Sequence, residues 1–113
     1  MENIMSAYAE VPAVAVETGY EMKTTYWGDF TVAERLSGVE GVKDTFKRAF
    51  KCMKDDEVYI TEMYMVANWN VWQHYKTNKD LAEEYQKIDD IIDDYVDKHW
   101  NKKQKEYFYA TTD

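Results

Sequence analysis

The run Asp89-Asp90-Ile91-Ile92-Asp93-Asp94 holds the densest set of chemically able side chains in the chain. Asp89 with Asp93, and Asp90 with Asp94, stand four residues apart. On a helix that spacing stacks two carboxylates one turn apart, close enough to share a divalent cation. The order DDxxD also occurs in prenyl-transferring enzymes. Those enzymes need a large apolar cavity and further metal ligands, and 113 residues leave too little volume for both. An acidic run on the outer face of an amphipathic helix is more often solvated, each like-charged pair costing roughly a few tenths of a kcal/mol. Lys87 and Lys98 offset part of that cost. The expectation is no metal ligand and no cofactor.

The other reactive side chains do not assemble into a known site. His74 and His99 fall near the ends of consecutive helices expected to be antiparallel, so they lie at opposite ends of a hairpin and cannot share a metal. Neither has a Glu three residues before it, as a di-iron bundle requires. A His near a helix C-terminus is favoured by the dipole in any case. Glu62, Asn68, Asn70 and Gln73 are polar residues on an otherwise apolar segment, with Thr61 and Asn68 aligned on the helical wheel. A buried carboxylate at Glu62 would be a candidate acid or base, but a Glu at the margin of a helix face is commoner. No Ser-His-Asp set, Gly-rich phosphate loop or HExxH occurs. The expectation is therefore no catalytic residue and no enzyme.

The elements that position these groups read as helices. From Asp80 to Trp100, the residues Leu81, Tyr85, Ile88, Ile92, Tyr95 and His99 follow at spacings of four, three, four, three and four. That is a stripe for packing lengthwise against another helix. At about 100° per residue, Glu83, Asp90, Asp93, Asp94 and Asp97 fall on the opposite side. Upstream, Glu57 to Lys76 is apolar nearly all round and predicts a central helix, capped by Asp55 or Asp56. Thr77 with Asp80 predicts a capping box for the acidic helix, and Asn101 with Gln104 one for a short last helix carrying Tyr107 and Phe108. Thr31 with Glu34 is a third capping box, predicting a short helix from Val32 to Leu36 closed by Gly38. A helix from Val39 or Glu40 to Lys54 follows, burying Val42, Phe46, Ala49, Phe50 and Met53 and turning Lys43, Lys47, Arg48, Lys51 and Lys54 outward.

Composition bounds the class. A hydrophobic content of 45% and an aromatic content of 16% suffice for a packed interior, and 4 Gly with 1 Pro are few turn-formers for a sheet protein. The fold class is mostly α, a bundle of four to five helices. Met1 to Glu21 holds Glu2, Glu10, Glu17 and Glu21 without Lys or Arg, which is half of the net charge of −8. Residues 1–22 are expected to be a flexible acidic arm, with a short extended piece around Val14 to Val16, and 23–113 a single helical domain. The lone Cys52 allows neither an internal disulfide nor a zinc cluster. No apolar run reaches the roughly 18 residues of a membrane span, so a soluble cytoplasmic protein is expected. The charge disfavours direct binding to nucleic acid or to anionic membranes and permits attraction to a basic surface on another protein.

The segments TTYWGDFTVAERLSGVEGVKDTFKRAF, VANWNVWQHY and YFYATTD resemble a family of small acidic helical proteins from Gram-positive gut bacteria and their mobile elements. The resemblance spans Met22 to Asp113 and implies that residues 1–21 are an extension. The family has no established activity, so it carries over no site residue. Its setting implies roles in defence, anti-defence or element maintenance.

Two surfaces follow as candidate contact sites. One is the acidic face of Glu83, Asp90, Asp93, Asp94 and Asp97. Carboxylates three, four and seven residues apart lie about 5 to 11 Å from one another, a spacing that can imitate a row of phosphates. The other is aromatic: the Trp and Tyr residues exceed one small core, which leaves Trp27, Trp69, Trp72 and Trp100 as candidate anchors for a partner. The expected function is non-catalytic protein–protein contact, in its sharper form inhibition of a host defence nuclease by a mobile-element protein. The alternatives are a self-associating module, as a homodimer, and a small divalent-metal-dependent enzyme.

Overall fold

Helical structure begins well before the capping signal at Thr31. The computed structural model describes residues 22–112, and the side chains of 28–112. Its regular elements are four helices, α1 (Met22–Met53), α2 (Glu57–His74), α3 (Lys79–His99) and α4 (Lys102–Thr112). The mostly α expectation is met. The expected arm, with its extended piece at Val14 to Val16, lies outside the described residues. None of these helices is long and apolar enough to cross a membrane.

The described residues divide after Lys54 into two units. In the first unit, Thr31 lies inside α1 rather than capping it, because Met22 to Phe30 are already helical. A Ser or Thr with a Glu three residues on permits a helix to start but does not oblige it to. Gly38 breaks α1 at φ 57°, ψ −135°, the mirror image of extended backbone that only glycine enters freely. After the break the chain returns so closely that a Cβ on Gly41 would overlap the Ala33 carbonyl. Val42, Phe46, Ala49 and Met53 are then buried, as the periodicity predicts, while Phe50 is half-buried and tilts against Phe46 at 5.2 Å. Arg48–Asp44 (3.1 Å) and Lys43–Glu40 (3.7 Å) pair along the solvated side.

In the second unit, Asp56 caps α2, its carboxylate accepting from the Tyr59 N–H at 2.9 Å. The cap of α3 is Asn78, not Thr77: its side-chain oxygen accepts from the Leu81 N–H at 3.2 Å. Asn is the stronger capping residue of the two, so the start moves by one position. Asn101 and Gln104 form the expected reciprocal box at 3.1 and 2.9 Å. Asp55 fastens this end of the unit, since its carboxylate accepts from the Tyr95 hydroxyl (2.7 Å) and its carbonyl from the Gln104 amide (3.4 Å).

Helix α2 packs along α3 and also touches α4. Leu81, Tyr85, Ile88 and Ile92 are buried, but the stripe ends on Val96 rather than on Tyr95 and His99. The buried sector is wider than the stripe: Ala82, Glu84, Asp89 and Val96, on either side of it, are also in the interior. Each large apolar side chain buried here contributes about 1.5–3 kcal/mol. Phe108 joins α4 to the rest through edge-on contacts with Tyr64 (5.0 Å) and Trp100 (6.0 Å).

Candidate protein-contact site

Helix α2 is covered by α3 and α4 and leaves one side open to solvent. Val58, Met65, Trp69 and Trp72 are 49%, 41%, 52% and 63% exposed. They succeed one another at seven, four and three residues, which is a single line along a helix surface. Beside that line, between α2 and the last turn of α4, lies an open groove of about 180 Å³ lined by Tyr64, Met65, Asn68, Trp69, Trp72 and Thr112. Trp72 stands edge-on to Tyr75 at 5.6 Å, and the Lys76 ammonium sits over the Tyr75 ring. The Thr112 hydroxyl donates back to the Phe108 carbonyl at 2.8 Å, which anchors the groove's far wall.

Two of the lining residues connect the groove to the carboxylates of α3. The Asn68 amide donates to Asp89 Oδ2 at 3.3 Å, and the Tyr64 hydroxyl donates to Asp93 Oδ2 at 3.2 Å. Asp89 is only 2% exposed, and its Oδ1 has no hydrogen-bond partner. Burial drives its pKa up to about 7, against the opposing bond from Asn68 and with help from the charges of Asp93 and Asp90. Partial desolvation also raises Asp93, again opposed by its hydroxyl donor. Burial and the Asp93 charge push the Tyr64 hydroxyl up to about 12, so it remains a donor.

The expected acidic face is exposed at Glu83, Asp90, Asp93, Asp94 and Asp97. Asp94 pairs with Lys98 at 3.1 Å, and Asp90 accepts from Gln86 at 3.1 Å. The i, i+4 pairs of the acidic run are thus divided between the interior and separate partners. Among the described residues, no group of three or more His, Cys, Asp or Glu is arranged to hold a metal. His74 stacks on Tyr85 at 5.9 Å and His99 tilts against Tyr95 at 4.6 Å, at opposite ends of the α2–α3 hairpin.

The candidate tryptophans separate. Trp69 and Trp72 come together on the groove, whereas Trp100 is 4% exposed and packed against Phe108. Trp100 is corrected from a surface anchor to a core residue, because the chain turns there from α3 into α4 and folds its indole inward. The Trp27 side chain lies outside the described ones. Sequence reasoning missed Asp89 as an interior group and Met65 and Thr112 as groove walls. The available signal for Asp89 was its position about 80° around the wheel from Leu81, inside the buried sector.

A carboxyl that titrates near 7 has the value a general acid or base needs, but Asp89 sits behind Asn68 rather than in the groove. The groove is also smaller than the roughly 300–1,000 Å³ of a small-molecule site, and suits a single inserted side chain. No family model, curated protein or solved structure matches the chain.

Proposed function

We propose that this chain is a non-catalytic binding protein that acts by contact with another protein through the α2 groove and its acidic edge. The observation that carries the reading is the exposed line Val58, Met65, Trp69 and Trp72 beside the exposed carboxylates of α3. Large apolar side chains left in water on an ordered helix mark interaction sites, and Trp is the residue most enriched among binding hot spots. Affinity capture from a bacterial lysate tests it. The full chain should retain a partner that Trp69→Ala with Trp72→Ala releases. Identical captures from both proteins would remove the groove from consideration.

A second reading rests on the exposure of Asp90, Asp93, Asp94 and Asp97. In it, this row imitates phosphates and inhibits a nucleic-acid enzyme, in the sharper form a host defence nuclease met by a mobile element. Changing the four together to Asn should abolish inhibition of a susceptible nuclease, and wild-type inhibition should weaken steeply with salt. Inhibition that survives the neutral variant would dispose of the mimic.

A further inference from the structure

Three occupants compete for the α2 groove, and charge chooses among them. A second copy of the chain brings a net −8 overall, and two members of its basic row on α1, Lys43 and Arg48, are already paired with Glu40 and Asp44. The chain's own residues 1–21 carry four Glu and no Lys or Arg, so they meet repulsion at the acidic edge. A basic partner gains where these two lose. Asp93 is held at the groove by Tyr64, and Asp90 is near enough for its charge to act on Tyr64 and on Asp93. Both are exposed, and each retains acceptor capacity beyond the one bond it makes.

The shape of the site selects the partner's conformation. The line from Val58 to Trp72 covers fourteen residue steps, about 21 Å or four helical turns. The described elements are all helices, so they offer no sheet edge on which an extended peptide could add a strand. An amphipathic helix laid lengthwise, anchored at i, i+3, i+4 and i+7, matches the four-turn length of this line. A groove of about 180 Å³ admits one bulky side chain from it.

We propose that the groove receives a basic amphipathic helix of another protein, with one large apolar side chain between Trp69, Trp72 and Thr112 and a flanking Lys or Arg on Asp93 and Asp90. This rests on the protein-contact reading above and adds the class of partner. The surface potential of α3 steers the approach, and the apolar line supplies the affinity.

The test uses the full chain and three synthetic helical peptides of four turns. One carries Leu along one face with Lys on the flanks, the second has Glu for Lys, and the third is the basic peptide broken by a central Pro. The readout is the set of tryptophan indole N–H signals in a nitrogen-correlated NMR spectrum. The basic peptide should shift the Trp69 and Trp72 signals and leave that of Trp100 in place, which also reports that the fold is intact. The Glu and Pro peptides should bind at least tenfold more weakly. Asp90→Asn with Asp93→Asn should cost at least tenfold for the basic peptide and flatten its salt dependence.

If the Glu peptide binds as well, or if the neutral variant binds undiminished, the basic partner is overturned. The protein-contact reading survives that result provided Trp69→Ala with Trp72→Ala still abolishes binding. If the Trp69 and Trp72 signals instead move with protein concentration alone, and sedimentation shows a dimer, the occupant is a second copy and the proposal fails. No shift with any peptide up to millimolar concentration overturns the proposal as well.

Discussion

Asp89 is the residue whose placement departs furthest from its surroundings in the sequence. Its neighbours Asp90, Asp93 and Asp94 are solvated, while it is buried with one oxygen unpartnered. Its folded pKa of about 7 lies above its ordinary value of 3.8. Between those values the unfolded chain has lost the proton and the native chain still holds it. Stability therefore falls as pH rises across that window, and the loss is complete above about pH 7. Three units correspond to at most about 4 kcal/mol. Asp89→Asn should remove that slope and raise stability at pH 8 by about 2 kcal/mol while changing little at pH 4; urea denaturation at the two pH values measures it. An unchanged slope would show that the carboxyl is charged in the folded protein. The sequence made this residue visible only as half of a candidate metal pair. A stripe drawn one residue wide conceals the flank on which position 89 lies beside the buried Ala82 and Val96.

At the scale of elements, the helices were legible where periodicity and caps agreed, as at Asp56, Gly38 and the Asn101–Gln104 box. They were less so where a local signal stood alone. Thr31 and Glu34 have the spacing of a start, yet the chain is helical before them, because a cap lowers the energy of an end without forbidding continuation. The corner at Gly38 is predicted in the sequence, but its consequence at Gly41 is not, since a close backbone approach leaves no trace in composition. Gly41→Ala should destabilise by about 1–3 kcal/mol through overlap with the Ala33 carbonyl. Thermal unfolding indistinguishable from wild type would refute that contact. Phe108→Ala should cost about 3–5 kcal/mol, as expected for an aromatic removed from a buried cluster with Tyr64 and Trp100. The loss should appear first in the helical signal of α4.

For the whole molecule, the relevant quantity is the separation of stability from contact. Trp69 and Trp72 are more than half exposed, so replacing both with Ser should change the folding free energy by no more than about 0.5 kcal/mol each. The same change should abolish whatever binding the groove supports. A large loss of stability would instead make these side chains part of a buried surface. The surplus of aromatics signalled from the sequence alone that some must be exposed. It did not separate Trp72 from Trp100, because which indole turns inward depends on where α4 crosses, and that is set by contacts distant in sequence.

The ties at Asp55 give the second unit a fixed end and a free one. Tyr95 and the start of α4 are fastened there, whereas the groove lies toward the opposite end, where α4 finishes at Thr112. The unit is thus built like a clothes-peg: its spring is the Asp55 end and its jaws are Trp72 and Thr112. Between spring and jaws, Phe108 holds α4 against Tyr64 and Trp100, so only the last turn of α4 lies beyond the packed contacts. Amide hydrogen exchange should accordingly be fastest in the last turn of α4 and slowest in the segments held around Asp55.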